Sequence, residues 1–116
     1  MYGTKIGVKE RLGLDQEDVS LDDSIDRAIA YADAVIDAAF TKATVTVPAT
    51  TPQLIIESSN DIAAYYMLKS TNMDLAQKFY DGGALLLRNY LEANVTGLKG
   101  GAKVVTTSQV KSDSDS

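Results

Sequence analysis

SLDDSIDRAIAYADAVIDAAF, residues 20–40, carries the clearest periodic signal in the chain. Leu21, Ile25, Ala28, Ile29, Ala32, Ile36 and Phe40 recur at helical spacing and make one apolar face. Asp22, Asp26, Asp33 and Asp37 fall mostly on another face, which reads as a solvated one. Ser20 and Asp23 have the spacing of a capping box, with Asp in place of the usual Glu. The early aspartates suit the positive end of the helix dipole.

Two more helices follow downstream. Thr51 reads as an N-cap with Pro52 at the first helical position. In PQLIIESSNDIAAYYMLKS (52–70), Ile55, Ile62, Tyr66 and Ser58 or Ser59 share a face. The small residues in its middle would let a neighbouring helix approach closely. STNM (70–73) is a turn, and Thr71 and Asp74 again have capping-box spacing. In DLAQKFYDGGALLLRNYLEANV (74–95), Leu75, Phe79, Gly82 or Gly83, Leu86, Tyr90 and Leu91 line one side. A glycine inside a helix costs about 1 kcal/mol relative to alanine, so the Gly82–Gly83 pair predicts a close helix crossing or a kink. Upstream, Thr4 can cap a short helix over KIGVKERL (5–12), and Gly13 can end it in the left-handed conformation.

Two segments stand outside this helical pattern. TKATVTVPATTP (41–52) alternates β-branched residues, and Pro48 and Pro52 forbid helix continuation. Thr41, Ala43, Thr44, Val45, Thr46 and Val47 therefore read as a strand-like arm with no second strand nearby. At the C-terminus, TGLKGGAK (96–103) loosens the last helix, VVTTSQV (104–110) is β-branched, and KSDSDS (111–116) is polar and acidic. The expected fold is all-α. It is a small antiparallel bundle of three long helices plus a short N-terminal helix, with the strand-like arm and an extended C-terminal tail. Residues 1–97 form the helical domain and 98–116 the tail. One core is normal for 116 residues.

Composition excludes much chemistry. The net charge is −5 and the lysines and arginines are scattered, so no basic stripe exists to grip nucleic acid. With no histidine, the commonest general base and transition-metal ligand are missing; with no cysteine, disulfides and thiol chemistry are excluded. No stretch predicts a signal peptide or a membrane span, which fits a soluble cytoplasmic product. The aspartates at 22, 26, 33 and 37 could bind a hard cation only through oxygen ligands, and no EF-hand loop or Glu-x-x-His motif surrounds them. Ser58 and Ser59 lack a base, Gly82–Gly83 lacks a Walker lysine, and the tyrosines lack basic partners for stacking nucleic-acid bases. No catalytic residue, metal site or cofactor is expected, and the chain does not read as an enzyme.

What remains points to partners. An exposed strand is a template for another chain. The arm 41–47 and the tail residues Lys103, Val104, Val105, Thr106, Thr107, Ser108, Gln109 and Val110 both fit that description. The N–H of Val45 in particular would serve an intermolecular ladder.

The order of YGTKIGVKERLGL, LDDSIDRAIAYADAVIDAAF, a proline-bearing loop, PQLIIESSNDIAAYYML and AQKFYDGGALLLRNYLE resembles the head–tail connector proteins of tailed viruses, also called adaptor or head-completion proteins. The resemblance covers roughly residues 2–96 and rests more on apolar spacing than on fixed residues. It implies a structural virion protein at the head–tail junction. Such a protein docks under the portal as a ring, typically of twelve copies, extends the DNA channel and offers a surface to the next neck or tail-completion protein. The arm 41–47 would then meet a neighbouring copy or the next ring, and the tail 103–110 would reach the portal. Asp22, Asp26, Asp33 and Asp37 are candidate channel-facing acids, past which DNA moves without specific binding. Neither a membrane nor a cofactor is implied. The alternative is a small acidic cytosolic protein-interaction module with a helical-bundle fold.

Overall fold

The computed structural model describes residues 1–95. It is all-helical, with α1 (Lys5–Leu12), α2 (Asp22–Ala43), α3 (Gln53–Leu68) and α4 (Met73–Asn94), and no strand occurs among the described residues.

Capping fixes both ends of α1. Thr4 is extended at the N-cap, and its hydroxyl accepts the Gly7 N–H at 3.0 Å. At the other end Gly13 turns left-handed (φ 72°), its N–H reaches Glu10 O, and Leu14 N–H reaches Lys9 O at 2.9 Å. That pair of bonds is a Schellman motif. The other helices start differently from the sequence reading. Leu21, not Ser20, is the N-cap of α2, because Ser20 spends both its N–H and its hydroxyl on the Asp18 carboxylate. Pro52 caps α3, and Asn72 caps α4 by accepting the Leu75 N–H at 3.2 Å.

The apolar face read from residues 20–40 is the core face. Ile25, Ala28, Ile29, Ala32, Ile36 and Phe40 are buried, and only Leu21 at the helix start is exposed. Val8 of α1, Ile55, Ile62 and Ala63 of α3 and Leu87 of α4 complete the same cluster. Each fully buried isoleucine contributes about 1.5–3 kcal/mol relative to an exposed one.

α3 lies centrally, packing on α1, α2 and α4, while α2 and α4 meet only briefly. Ser58 meets Gly83 and Tyr65 meets Tyr80, so α3 and α4 run in opposite directions. The crossing is close at Gly83. A Cβ there would stand 3.0 Å from Ser58 O, Asp61 Cβ and Ile62 Cγ1. The Ser58 hydroxyl donates to the Gly83 carbonyl at 2.8 Å, which satisfies a buried polar side chain across the contact. Of the two outcomes foreseen for the glycine pair, the close crossing is the one observed.

The buried stripe of α4 is turned one position from the expected one. Ala76, Gly83 and Leu87 are buried, whereas Leu75 is exposed and Leu86 only half-buried. The helix is apolar on two adjacent stripes, and packing on α3 selects one of them.

Candidate docking surfaces

Polar side chains of α2 and α3 fix the N-terminal segment. Asp33 Oδ1 accepts the Tyr2 N–H at 3.1 Å and the Ser59 hydroxyl at 3.1 Å. Its other oxygen lies 3.8 Å from the terminal ammonium. Asp37 accepts the Tyr2 hydroxyl; burial and then this carboxylate push the phenol up to about 12. Asn60 Oδ1 accepts the Thr4 N–H at 2.8 Å. Asn60 is buried because Gly3 of the N-terminal segment and Gly7 of α1 both lie over it, where an added Cβ would collide with its amide atoms. The helix-weakening glycine in KIGVKERL is thus the residue that admits the contact.

α1 is tied down by charge as well. Lys9 is only 4% exposed, and its ammonium lies 2.9 Å from Asp22 Oδ1 and donates to Gln16 O at 3.0 Å. Lys5 lies 3.6 Å from Asp26 and 4.0 Å from Asp22. Arg11 donates to Asp61 and Glu57 and, at 2.9 Å, to the Gly7 carbonyl. Burial alone would lower the Arg11 pKa, but the hydrogen bonds to Asp61 and Glu57 outweigh it and raise it. Glu57 is held below its ordinary value by the same bond.

The candidate acids Asp22, Asp26, Asp33 and Asp37 are therefore gathered along the side of α2 that seats the N-terminal segment and α1. They are not a uniformly solvated face. Asp37 is exposed and Asp26 keeps a 43% exposed side chain, while Asp22 and Asp33 are half-buried. Among the described residues no group of three or more His, Cys, Asp or Glu is arranged to hold a metal ion.

The arm is shorter than its sequence suggests. Thr41, Lys42 and Ala43 belong to α2, which ends in a second Schellman motif. Thr44 adopts the left-handed conformation (φ 59°), its N–H reaches Thr41 O at 3.1 Å, and Val45 N–H reaches Phe40 O at 3.0 Å. Val45 also packs on the core cluster. Its N–H is thus used within the chain, contrary to the ladder expected of it. Helical packing of Phe40 outweighs the weak preference of Thr41 for extended backbone. Thr46, Val47, Ala49 and Thr50 are the exposed part of the arm. The tail residues Lys103 to Val110 lie outside the described residues.

Two surface features stand out, of which the sequence reading missed the first and named the tyrosines of the second without their pairing or their lysine. The first is an apolar groove of about 310 Å³ between α2 and α4, floored by Ile62. Val35, Ala39 and Ala43 form one wall; Tyr80, Ala84, Leu87 and Leu91 form the other, with Arg88, Glu92 and Val95 at its edge. The second is a tyrosine cluster. Tyr31 and Tyr66 lie 4.7 Å apart and Tyr65 and Tyr80 5.0 Å apart, with the Lys69 ammonium 4.7 Å over the Tyr66 ring. Burial raises the Tyr31 pKa. The groove could be sensed in sequence only as the second apolar stripe of α4. No helix among the described residues is long and apolar enough to cross a membrane.

A protein-family model described as Bacteriophage Mu, Gp36 matches residues 5–112. No curated protein and no solved structure gives a significant match.

Proposed function

The chain belongs to the bacteriophage Mu Gp36 family, and from that premise we propose that it is a phage structural protein of virion morphogenesis acting as a head–tail adaptor. In this reading it docks under the portal as a ring, about twelve copies by analogy with connectors, extends the DNA channel and receives the next neck or tail-completion protein. The observation that carries the reading is the extent of the family match, which runs from α1 to residue 112 and so takes in the tail as well as the helices.

Physical features support it. The exposed arm residues Thr46, Val47, Ala49 and Thr50 lie on the link between α2 and α3, where a neighbouring copy could meet them. Net charge −5 repels DNA, so the polymer would pass without being held. Asp26 and Asp37 keep the exposure that a channel-facing acid needs.

Co-sedimentation with the portal ring from the same genome tests this. Binding in ring stoichiometry by the full chain, lost on removal of residues 98–116, is the expected result. A folded full-length chain that fails to bind the portal would return the protein to the class of small acidic interaction modules.

A further inference from the structure

The geometry points to a resting place for the tail: we propose that residues Val104–Val110 of this chain lie in the α2–α4 groove of the same molecule before any partner is met. This goes beyond the adaptor reading and does not depend on it.

The groove needs an apolar, uncharged occupant. Its lining at Val35, Ala39, Leu87 and Leu91 is aliphatic, and its two charged lining residues, Arg88 and Glu92, are solvent-exposed. The described chain ends at Val95, itself at the groove's edge, with 21 residues still to come. Within them the segment 104–110 is the longest run without charge or glycine, and it offers Val104, Val105 and Val110. The lengths agree. From Val95 back to Tyr80 along α4 is about 22 Å at 1.5 Å per residue. The segment spans about 24 Å when extended.

The intervening residues 96–103 contain Gly97, Gly100 and Gly101, which allow the chain to reverse at the end of α4. A tether this short gives an effective concentration of order millimolar, so the chain's own segment outcompetes a second copy in dilute solution.

The chain has no cysteine, so an introduced pair reports cleanly. Ala84→Cys lies in the groove wall, and Ala30→Cys on the exposed face of α2 is the control, each combined with Val105→Cys in the full-length protein. Under mild oxidation at micromolar concentration, the groove pair should form a disulfide within one molecule at least tenfold faster than the control pair. Equal rates overturn the proposal, and so does a product that is mainly disulfide-linked dimer. A second measurement uses no cysteine: Val104→Asp/Val105→Asp should raise binding of an apolar fluorescent dye severalfold by uncovering the groove. Unchanged dye binding by that variant also overturns it.

Discussion

Asn60 shows how one side chain can set the seating of a whole helix. It is buried, it holds the Thr4 N–H, and α1 lies on it only because position 7 has no side chain. Gly7→Ala would improve helix propensity by about 1 kcal/mol. The new Cβ would collide with the Asn60 amide, and overpacking of this kind costs about 1–3 kcal/mol. The substitution should therefore destabilise the parent protein but be neutral or stabilising when Asn60→Ala is already present. A double-mutant cycle by urea denaturation reads this coupling, and additive effects would show that α1 is not seated through Asn60. Thr44 poses the opposite problem. It is a β-branched residue held left-handed at φ 59°, a position where glycine is usual. Relief of strain of about 1–2 kcal/mol outweighs the entropy lost on introducing glycine, about 0.5–1 kcal/mol. Thr44→Gly should raise the denaturation midpoint, and a lower one would mean the Thr44 side chain makes an unrecognised favourable contact.

The α3–α4 crossing makes a prediction that separates two neighbouring glycines. At Gly83 an added methyl meets backbone and core atoms at 3.0 Å, whereas at Gly82 the nearest atom is a carboxylate oxygen of Asp61 at 3.5 Å. Gly83→Ala should cost about 1–3 kcal/mol. Gly82→Ala should be neutral or gain up to about 1 kcal/mol in helix propensity. Thermal melts of the two variants check this, and equal effects would contradict the close crossing. The same elements show what was legible before the structure. The core face of α2 was readable because its isoleucines and Phe40 all fall on one stripe, so the large apolar residues leave periodicity one solution, although the smaller Val35, Ala39 and Ala43 make a second stripe that lines the groove. In α4 the stripe through Leu75, Phe79, Gly82 and Leu86 competes with one through Ala76, Tyr80, Gly83 and Leu87, and spacing alone cannot choose between them. The cap of α1 was readable because Thr4 has no nearer competitor, whereas Ser20 has the Asp18 carboxylate two residues away. The roles of Asp33 and Asp37 were hidden because their partner, Tyr2, is more than 30 residues distant. A groove formed by three helices likewise has no local signature.

For the whole molecule, the family and the groove bear on the order of assembly. An adaptor whose tail reaches the portal must present that tail only when a portal is there, or copies would engage one another first. If residues 104–110 rest in the groove as proposed, they supply this control, because their release exposes both the segment and an apolar wall together. The portal then shifts the equilibrium only by its preference for the released state, so parking lowers apparent affinity by the fraction of molecules released. The disulfide that joins Ala84→Cys to Val105→Cys turns this into a test of the two ideas in combination. The locked protein should fail to co-sediment with portal rings, and reductant should restore binding to the level of the parent. If the reduced protein also fails to bind while remaining folded, the adaptor reading falls, whatever the groove holds. If locked and reduced proteins bind alike, the segment 104–110 is not what meets the portal, and attachment must run through the helices or the exposed arm at residues 46–50.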